Sequence, residues 1–262
     1  MPDRWLPVQT LRVLRLWTRR EIASRYAGSG AGLLWALLHP LLNIALFYFV
    51  FAVVLKVRVP ELALENGYFF YLLAGLLPWL GLSEGVVRAA QSLVANEQLL
   101  QKVVFPVAVL PLSAILASLV PQLLGMVVLT VLLAFQAALD WVHLLWLPLL
   151  LLGQLALSAG LGLLLAALSV VFRDLVQLVP VLMQFLFYAT PILYPRSLVP
   201  EAYQHWFLAN PVALLMDGYH AAFLGLPWPS ASRVGLLLWS LGLAGFGLWS
   251  FRRLRLLLGD WL

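Results

Sequence analysis

The 262-residue chain has no cysteine, only two lysines and little charge of any kind. The missing cysteines exclude disulfides, thiolate metal sites and a cysteine nucleophile together. Charged residues make up 10% of the chain, against about 25% in ordinary soluble domains. Apolar residues make up 63%, too much apolar surface for a soluble fold of this size to hide. The chain therefore reads as an all-α integral membrane protein. The four histidines (His39, His143, His205, His220) lie far apart with no HExxH spacing, so no zinc-protease site and no metal are expected.

Runs of about 20 mostly apolar residues predict about six spans, at 31–55, 68–88, 105–135, 144–171, 175–194 and 233–251. Pro106, Pro111 and Pro121 in the long third run predict entry along the surface and a kink. Of the 16 Lys and Arg, 12 fall on one alternating set of flanks. The other 4, Lys56, Arg58, Arg196 and Arg233, lie on the opposite set. The positive-inside rule then puts both termini in the cytoplasm.

Residues 1–30 intersperse charges throughout, unlike a signal peptide. Arg12, Arg15 and Arg19 fall on one helical stripe with Leu6, Val13, Leu14 and Trp17 away from it, as in an interfacial helix. A basic anchor and a moving element both fit that pattern. Residues 195–225 hold Pro195, Pro200 and Pro211 among aromatics such as Trp206, Phe207 and Phe223. That is too broken to span and too apolar for a solvated loop, and predicts short re-entrant or interfacial helices on the outer side.

Gly81-Leu82-Ser83-Glu84-Gly85 matches the hydrolase elbow GxSxG, but that motif works on a strand-turn-helix. Late in a membrane helix it reads as small-residue packing, and Gly28 with Gly32 reads the same way. Glu84 and Arg88, four apart, share a helix face, as a functional intramembrane charge pair or a structural one. His39 and Asn43 are expected to form a packing hydrogen bond, and Asp217 and His220 to tie down the outer segment. Aromatics at the outer ends of three spans fit an interface belt. They also fit a sugar-conducting mouth, with Tyr68, Phe69, Tyr71, Tyr188 and Tyr194 the candidates to face it. No GxxxxGK followed by Ser or Thr occurs. If the chain serves ATP-driven transport, the ATPase must be another polypeptide.

Several stretches together resemble ABC-2 type permeases that export polysaccharides. They are Arg20-Glu21-Ile22 through Arg25-Tyr26, Gly32-Leu33-Leu34-Trp35 with Pro40-Leu41, and Leu73-Ala74-Gly75-Leu76-Leu77-Pro78-Trp79. Asn96 to Lys102, Phe105-Pro106, Leu110-Pro111, Ser169 to Asp174, Thr190 to Pro195, Val199-Pro200 and Asn210-Pro211 follow in family order. The O-antigen and teichoic-acid exporter permeases are most similar, with capsule exporters further off.

The resemblance implies a homodimer of permease subunits working with two copies of a separate ATPase. ATP and magnesium would sit on that partner, with no cofactor in this chain. Residues 1–30 would carry the cytoplasmic gate helix, with Arg12, Arg15, Trp17, Arg19, Arg25 and Tyr26 as its residues, and 31–262 would form the transmembrane domain. The segment 91–104 would be the coupling helix, its polar Asn96, Glu97, Gln98 and Lys102 flanking an apolar Leu99-Leu100. Gly30-Ala31-Gly32 departs from the bulkier pattern expected there, and His220 stands where Arg is expected after Asp217, which questions an outer salt bridge. The implied activity is export of a lipid-linked or long polysaccharide across the bacterial inner membrane, by a transport subunit rather than an enzyme. The alternatives are a membrane-embedded enzyme of lipid or glycan assembly, which needs converging carboxylates or histidines, and a secondary transporter, which needs repeat symmetry.

Overall fold

The computed structural model describes residues 7–26, 33–62, 66–102, 106–136 and 139–261. Among these every regular element is helical. The helices are α1 (Pro7–Tyr26), α2 (Leu33–Tyr48), α3 (Gly67–Ala95), α4 (Glu97–Lys102), α5 (Val109–Phe135) and α6 (Trp141–Leu144). They continue with α7 (Leu147–Val171), α8 (Leu175–Tyr188), α9 (Glu201–Gln204), α10 (Pro211–Leu224) and α11 (Ser230–Trp261). Gly28 and Gly30-Ala31-Gly32 lie outside the described residues.

Four helical stretches are long and apolar enough to cross a bilayer: Gly67–Ala95, Val109–Phe135, Trp141–Val171 and Ser230–Leu254. Two shorter apolar helices, Leu42–Val54 and Leu175–Tyr188, correspond to the first and fifth expected runs. The chain is thus a multi-pass membrane protein. The first widens beyond α2 into a π-helical turn, Phe49–Val54, in which Leu55 N–H donates to the Val50 carbonyl at 2.9 Å. The fifth stops at Tyr188 rather than continuing to 194. Pro191 and Pro195 cannot donate to a helix ladder and disfavour the helical region at the residues before them. The third run forms one continuous helix, with Pro111 in its first turn and Pro121 in its interior.

Helix α3 is the axis of the bundle, buried from Gly67 to Leu93 on successive faces. It packs against α5, α7, α8 and α10, while α7 pairs with α11. That pairing requires glycine: a side chain at Gly160 would strike the Leu243 carbonyl, and one at Gly247 would strike the Gly160 carbonyl. Both obstacles are backbone and cannot rotate away. Gly81 and Gly85 serve similarly against Gln122 and Ser118 of α5, as small-residue packing rather than a nucleophile turn.

Charge marks one end of the bundle with Arg25, Arg88 and Arg173, while Tyr68 and Tyr194 mark the other. The broken segment expected between the last two spans folds as a 3-10 turn (Arg196–Leu198), α9, a second 3-10 turn (His205–Ala209) and the buried α10. Asn210 caps α10, its side-chain oxygen accepting from Val212 N–H (3.0 Å) and Ala213 N–H (3.3 Å), and Pro211 follows at N1. A large apolar core joins α3 to α10 and the Tyr68 end. A smaller one, around Leu93, Leu110, Leu163, Val170 and Phe251, sits at the basic end.

Candidate functional site

The aromatics nominated for a sugar-conducting mouth divide in two. Tyr68 and Tyr71 are buried, and their hydroxyls donate to backbone carbonyls of the irregular stretch after α8. Tyr68 reaches Leu193 at 2.8 Å; Tyr71 reaches Pro191 at 2.9 Å and Tyr194 at 3.0 Å. The Tyr71 ring also lies flat on His220, centroids 4.0 Å apart, and His220 Nε2 is 3.1 Å from the Tyr71 carbonyl. Tyr194 donates to the Tyr188 carbonyl at 2.9 Å. Phe69 is half-buried, edge-on to Tyr48, whereas Tyr188 is 55% exposed. Backbone that leaves the helical ladder inside a bilayer needs such partners, because lipid offers none.

Helix α8 carries a feature that the sequence reading passed over. Val179, Met183 and Phe187 are buried, Phe187 lying 5.5 Å from Trp79 of α3. On another face Gln177, Gln184 and Tyr188 are exposed, spaced by seven and four residues and so aligned in one stripe. The exposed faces of α5 (Leu124, Val127, Val128, Val131) and α11 (Val234, Leu237, Leu238, Leu241) are apolar, as lipid-facing surfaces should be. Two amides seven apart in an apolar run were the available signal.

Deeper in the bundle, Gln122 of α5 and Gln154 of α7 exchange paired amide hydrogen bonds of 2.9 and 2.7 Å. The Tyr219 hydroxyl of α10 donates to Gln154 at 2.6 Å, and Gln154 Nε2 donates to the Pro78 carbonyl at 3.3 Å. Four helices meet there without a formal charge. Nearby, Asp217 has an ion-pair partner after all: Arg196, at 2.9 Å, which also donates to the Gln204 carbonyl. His220 is engaged with Tyr71 instead.

At the basic end, Arg12, Arg15 and Arg19 of α1 are exposed. Trp17 packs against the smaller core, with the Arg20 guanidinium 4.5 Å from its ring, and Tyr26 closes the helix. The Arg25 side chain is 5% exposed and pairs with Glu84 of α3 at 3.3 Å. Glu84 and Arg88 form the expected one-turn pair, at 2.8 Å, and Arg88 reaches Glu21 of α1 at 3.4 Å.

The expected coupling segment is split, with residues 91–95 completing α3 and α4 forming Glu97–Lys102. The break falls at Asn96, whose side chain donates to the Ser92 carbonyl (2.8 Å), bending the chain out of the ladder. Gln98 is exposed, Leu99 and Leu100 are half-buried, and Leu100 joins the smaller core with Trp17. Glu97 pairs with Arg173, beyond the end of α7, at 3.4 Å. Among the described residues no three His, Asp or Glu side chains gather as a metal site requires.

Residues 12–224, from within α1 to the end of α10, match the model of the ABC-2 type transporter family. The chain belongs to that family. It is 36% identical over 216 residues to the O-antigen export system permease protein RfbA of Myxococcus xanthus, covering 81% of this chain and 80% of the relative. An RfbA of Klebsiella pneumoniae is 31% identical over 211 residues, 79% and 78% of the two chains. The polysialic acid transport protein KpsM of Escherichia coli is 25% identical over 213 residues, 80% of each. All are named as permease or transport proteins, and the aligned lengths take in most of the helical bundle.

Proposed function

We propose that this chain is the membrane subunit of an ABC transporter that exports a lipid-linked or long polysaccharide, O-antigen-like, outward across the inner membrane. The observation that carries this reading is the likeness, over about four-fifths of the chain and of each relative, to proteins named as O-antigen and polysialic acid exporters. Because the sequence holds no phosphate cradle, ATP hydrolysis falls to a separate subunit, two copies of which serve a permease dimer. Helix α4 is the element offered to that ATPase.

Six crossings with both termini cytoplasmic fit the course of the chain. Between Arg173, paired with Glu97, and Leu193, bonded to Tyr68, it travels from one end of the bundle to the other. Helix α8 supplies about 21 Å of that path from 14 residues, and the irregular stretch held by Tyr68 and Tyr71 completes it.

A glycan slides only if no single contact holds it tightly, so its path needs weak, repeated and partly polar contacts. The α8 stripe of Gln177, Gln184 and Tyr188 supplies them: amides donate to and accept from sugar hydroxyls, and a tyrosine face stacks at roughly 0.5–1.5 kcal/mol. On this reading Tyr188 faces the glycan, while Tyr68 and Tyr71 hold the outer segment in place.

Deleting the gene should abolish glycan at the cell surface, and the intact chain should restore it; unaltered surface glycan in the deletion strain would refute the reading. In the assembled complex, Gln177→Leu with Gln184→Leu should cut export at least about fivefold at unchanged assembly. The topology is tested by single cysteines at Leu62 and Pro200, which should label only from outside.

A further inference from the structure

Four charges alternate in sign where α1 meets α3: Arg25, Glu84, Arg88 and Glu21. Glu84 Oε1 accepts from both arginines, at 3.3 Å from Arg25 and 2.8 Å from Arg88, and Arg88 carries the chain on to Glu21 at 3.4 Å. Each helix contributes one acid and one base, and two of the three contacts, Arg25–Glu84 and Arg88–Glu21, run between the helices. Arg25 is the most enclosed, its side chain 5% exposed with a second contact to the Ala114 carbonyl of α5 at 3.5 Å. A guanidinium buried to that extent needs a carboxylate beside it, and Glu84 supplies one.

The same helix α1 is attached a second time. Trp17 packs into the small apolar core at the basic end, which Leu100 of α4 also joins. Helix α4 follows α3 across the break at Asn96, and Glu84 lies 11 residues, about 17 Å, before the end of α3 at Ala95. The surface offered to the ATPase and the charge quartet are therefore joined through the last turns of α3 and the bend at Asn96, and α1 is bonded to the quartet and shares the small apolar core with Leu100 of α4.

We infer that Glu84 is a positioning residue: its shared carboxylate seats α1 on the bundle, and exchange of its two arginine partners lets displacement of α4 lift or reseat α1 during the transport cycle. The inference rests on the export reading given above. Glu84 itself touches neither glycan nor nucleotide. A bifurcated acceptor suits this role because either arginine can hold the carboxylate while the other leaves.

The test uses the chain's lack of cysteine. A single cysteine at half-buried Thr18 of α1 is labelled with a charged maleimide in membranes, in the wild-type background, with Glu84→Gln, and with the exchange Arg25→Glu plus Glu84→Arg. Labelling should speed up at least about threefold with Glu84→Gln and return towards the wild-type rate with the exchange. In reconstituted permease and ATPase, glycan exported per ATP hydrolysed should fall at least about threefold with Glu84→Gln and stay low with the exchange, which restores a pair between the helices but not the carboxylate shared with Arg88. Equal labelling rates in the wild type and Glu84→Gln would overturn the seat. Faster labelling with unaltered export per ATP would overturn its role in transport. If the wild-type complex hydrolyses ATP but moves no glycan while the labelling pattern holds, the export reading fails and the seat stands.

Discussion

The two ends of the bundle use opposite chemistry to do the same job, which is to fasten other elements to α3. Towards the Tyr68 end most of the bonds are neutral and have fixed geometry. Tyr68 and Tyr71 hydroxyls meet carbonyls at 2.8–3.0 Å, and the Gln122–Gln154 pair closes on itself with Tyr219 attached. An ion pair there, Arg196–Asp217, is short and backed by the Gln204 carbonyl. At the basic end, α1 is held by longer ion pairs, Arg25–Glu84 at 3.3 Å and Glu21–Arg88 at 3.4 Å, and the Glu84 carboxylate is shared with Arg88 of its own helix. Directional neutral bonds in a dry site fix one arrangement. A shared carboxylate such as that of Glu84, partly solvated like Arg88 beside it, changes partners at less cost. The difference assigns rigidity to the Tyr68 end and mobility to the α1 seat.

The largest effect should come from the neutral network. Gln154→Leu leaves the Tyr219 hydroxyl, the Gln122 amide and the Pro78 carbonyl without their partner, a loss of about 2–3 kcal/mol. It should appear as a lower midpoint for thermal unfolding in detergent, followed by the loss of monodisperse protein. A shift no greater than that of Tyr219→Phe would show that the node does not act as a unit. Next in size is Tyr71→Phe, which removes two carbonyl contacts at about 1 kcal/mol. It should raise the labelling of a cysteine placed at buried Ile192, while Tyr188→Phe, which removes no contact seen in the structure, should not.

Much of this was readable beforehand, and what was not has physical causes. The positions of α3, α5, α7 and α11 followed from long apolar runs, because a bilayer demands length and little else. The Glu84–Arg88 pair followed from one-turn spacing. Its two further partners on α1 did not, because spacing within a helix says nothing of which helix lies opposite. The early stop of α8 at Tyr188 was signalled by Thr190-Pro191 but masked by the apolar residues beyond it. Tyr68 and Tyr71 stand at the same end of the bundle as Tyr194. Their hydroxyls point to backbone 120 and 125 residues away in sequence, a relation that composition cannot carry. Gln177 and Gln184 carry no signal singly, because their meaning lies in the stripe they form with Tyr188.

Salt separates the two ends without mutation. Screening shortens from about 10 Å at 0.1 M to about 3 Å at 1 M, so exposed and shared ion pairs weaken while enclosed neutral bonds do not. Raising the salt should speed labelling of a cysteine at Thr18 about twofold and leave one at Ile192 unaltered. Equal responses would erase the contrast between the ends.

The smallest effect sharpens the comparison away from the basic end, where Asp140 caps the short helix α6. Its carboxylate accepts from Val142 N–H at 2.9 Å and lies 2.8 Å from His143 Nδ1. The backbone hydrogen bond from Val142, and then His143, hold the carboxyl below its ordinary value of 3.8. A depressed value in the folded state means that the unfolded chain takes up the proton first. The stabilisation is therefore fully present above about pH 4 and is lost as the pH falls through the lower folded value. Asp140→Ala should lower the unfolding midpoint by a small, constant amount between pH 5 and 8, and the gap from wild type should narrow below about pH 4. Because this carboxylate is exposed, salt should not enlarge the gap at any pH. A gap that instead widened on acidification would mean that the protonated form is the better cap, reversing the sign assigned to the Val142 bond.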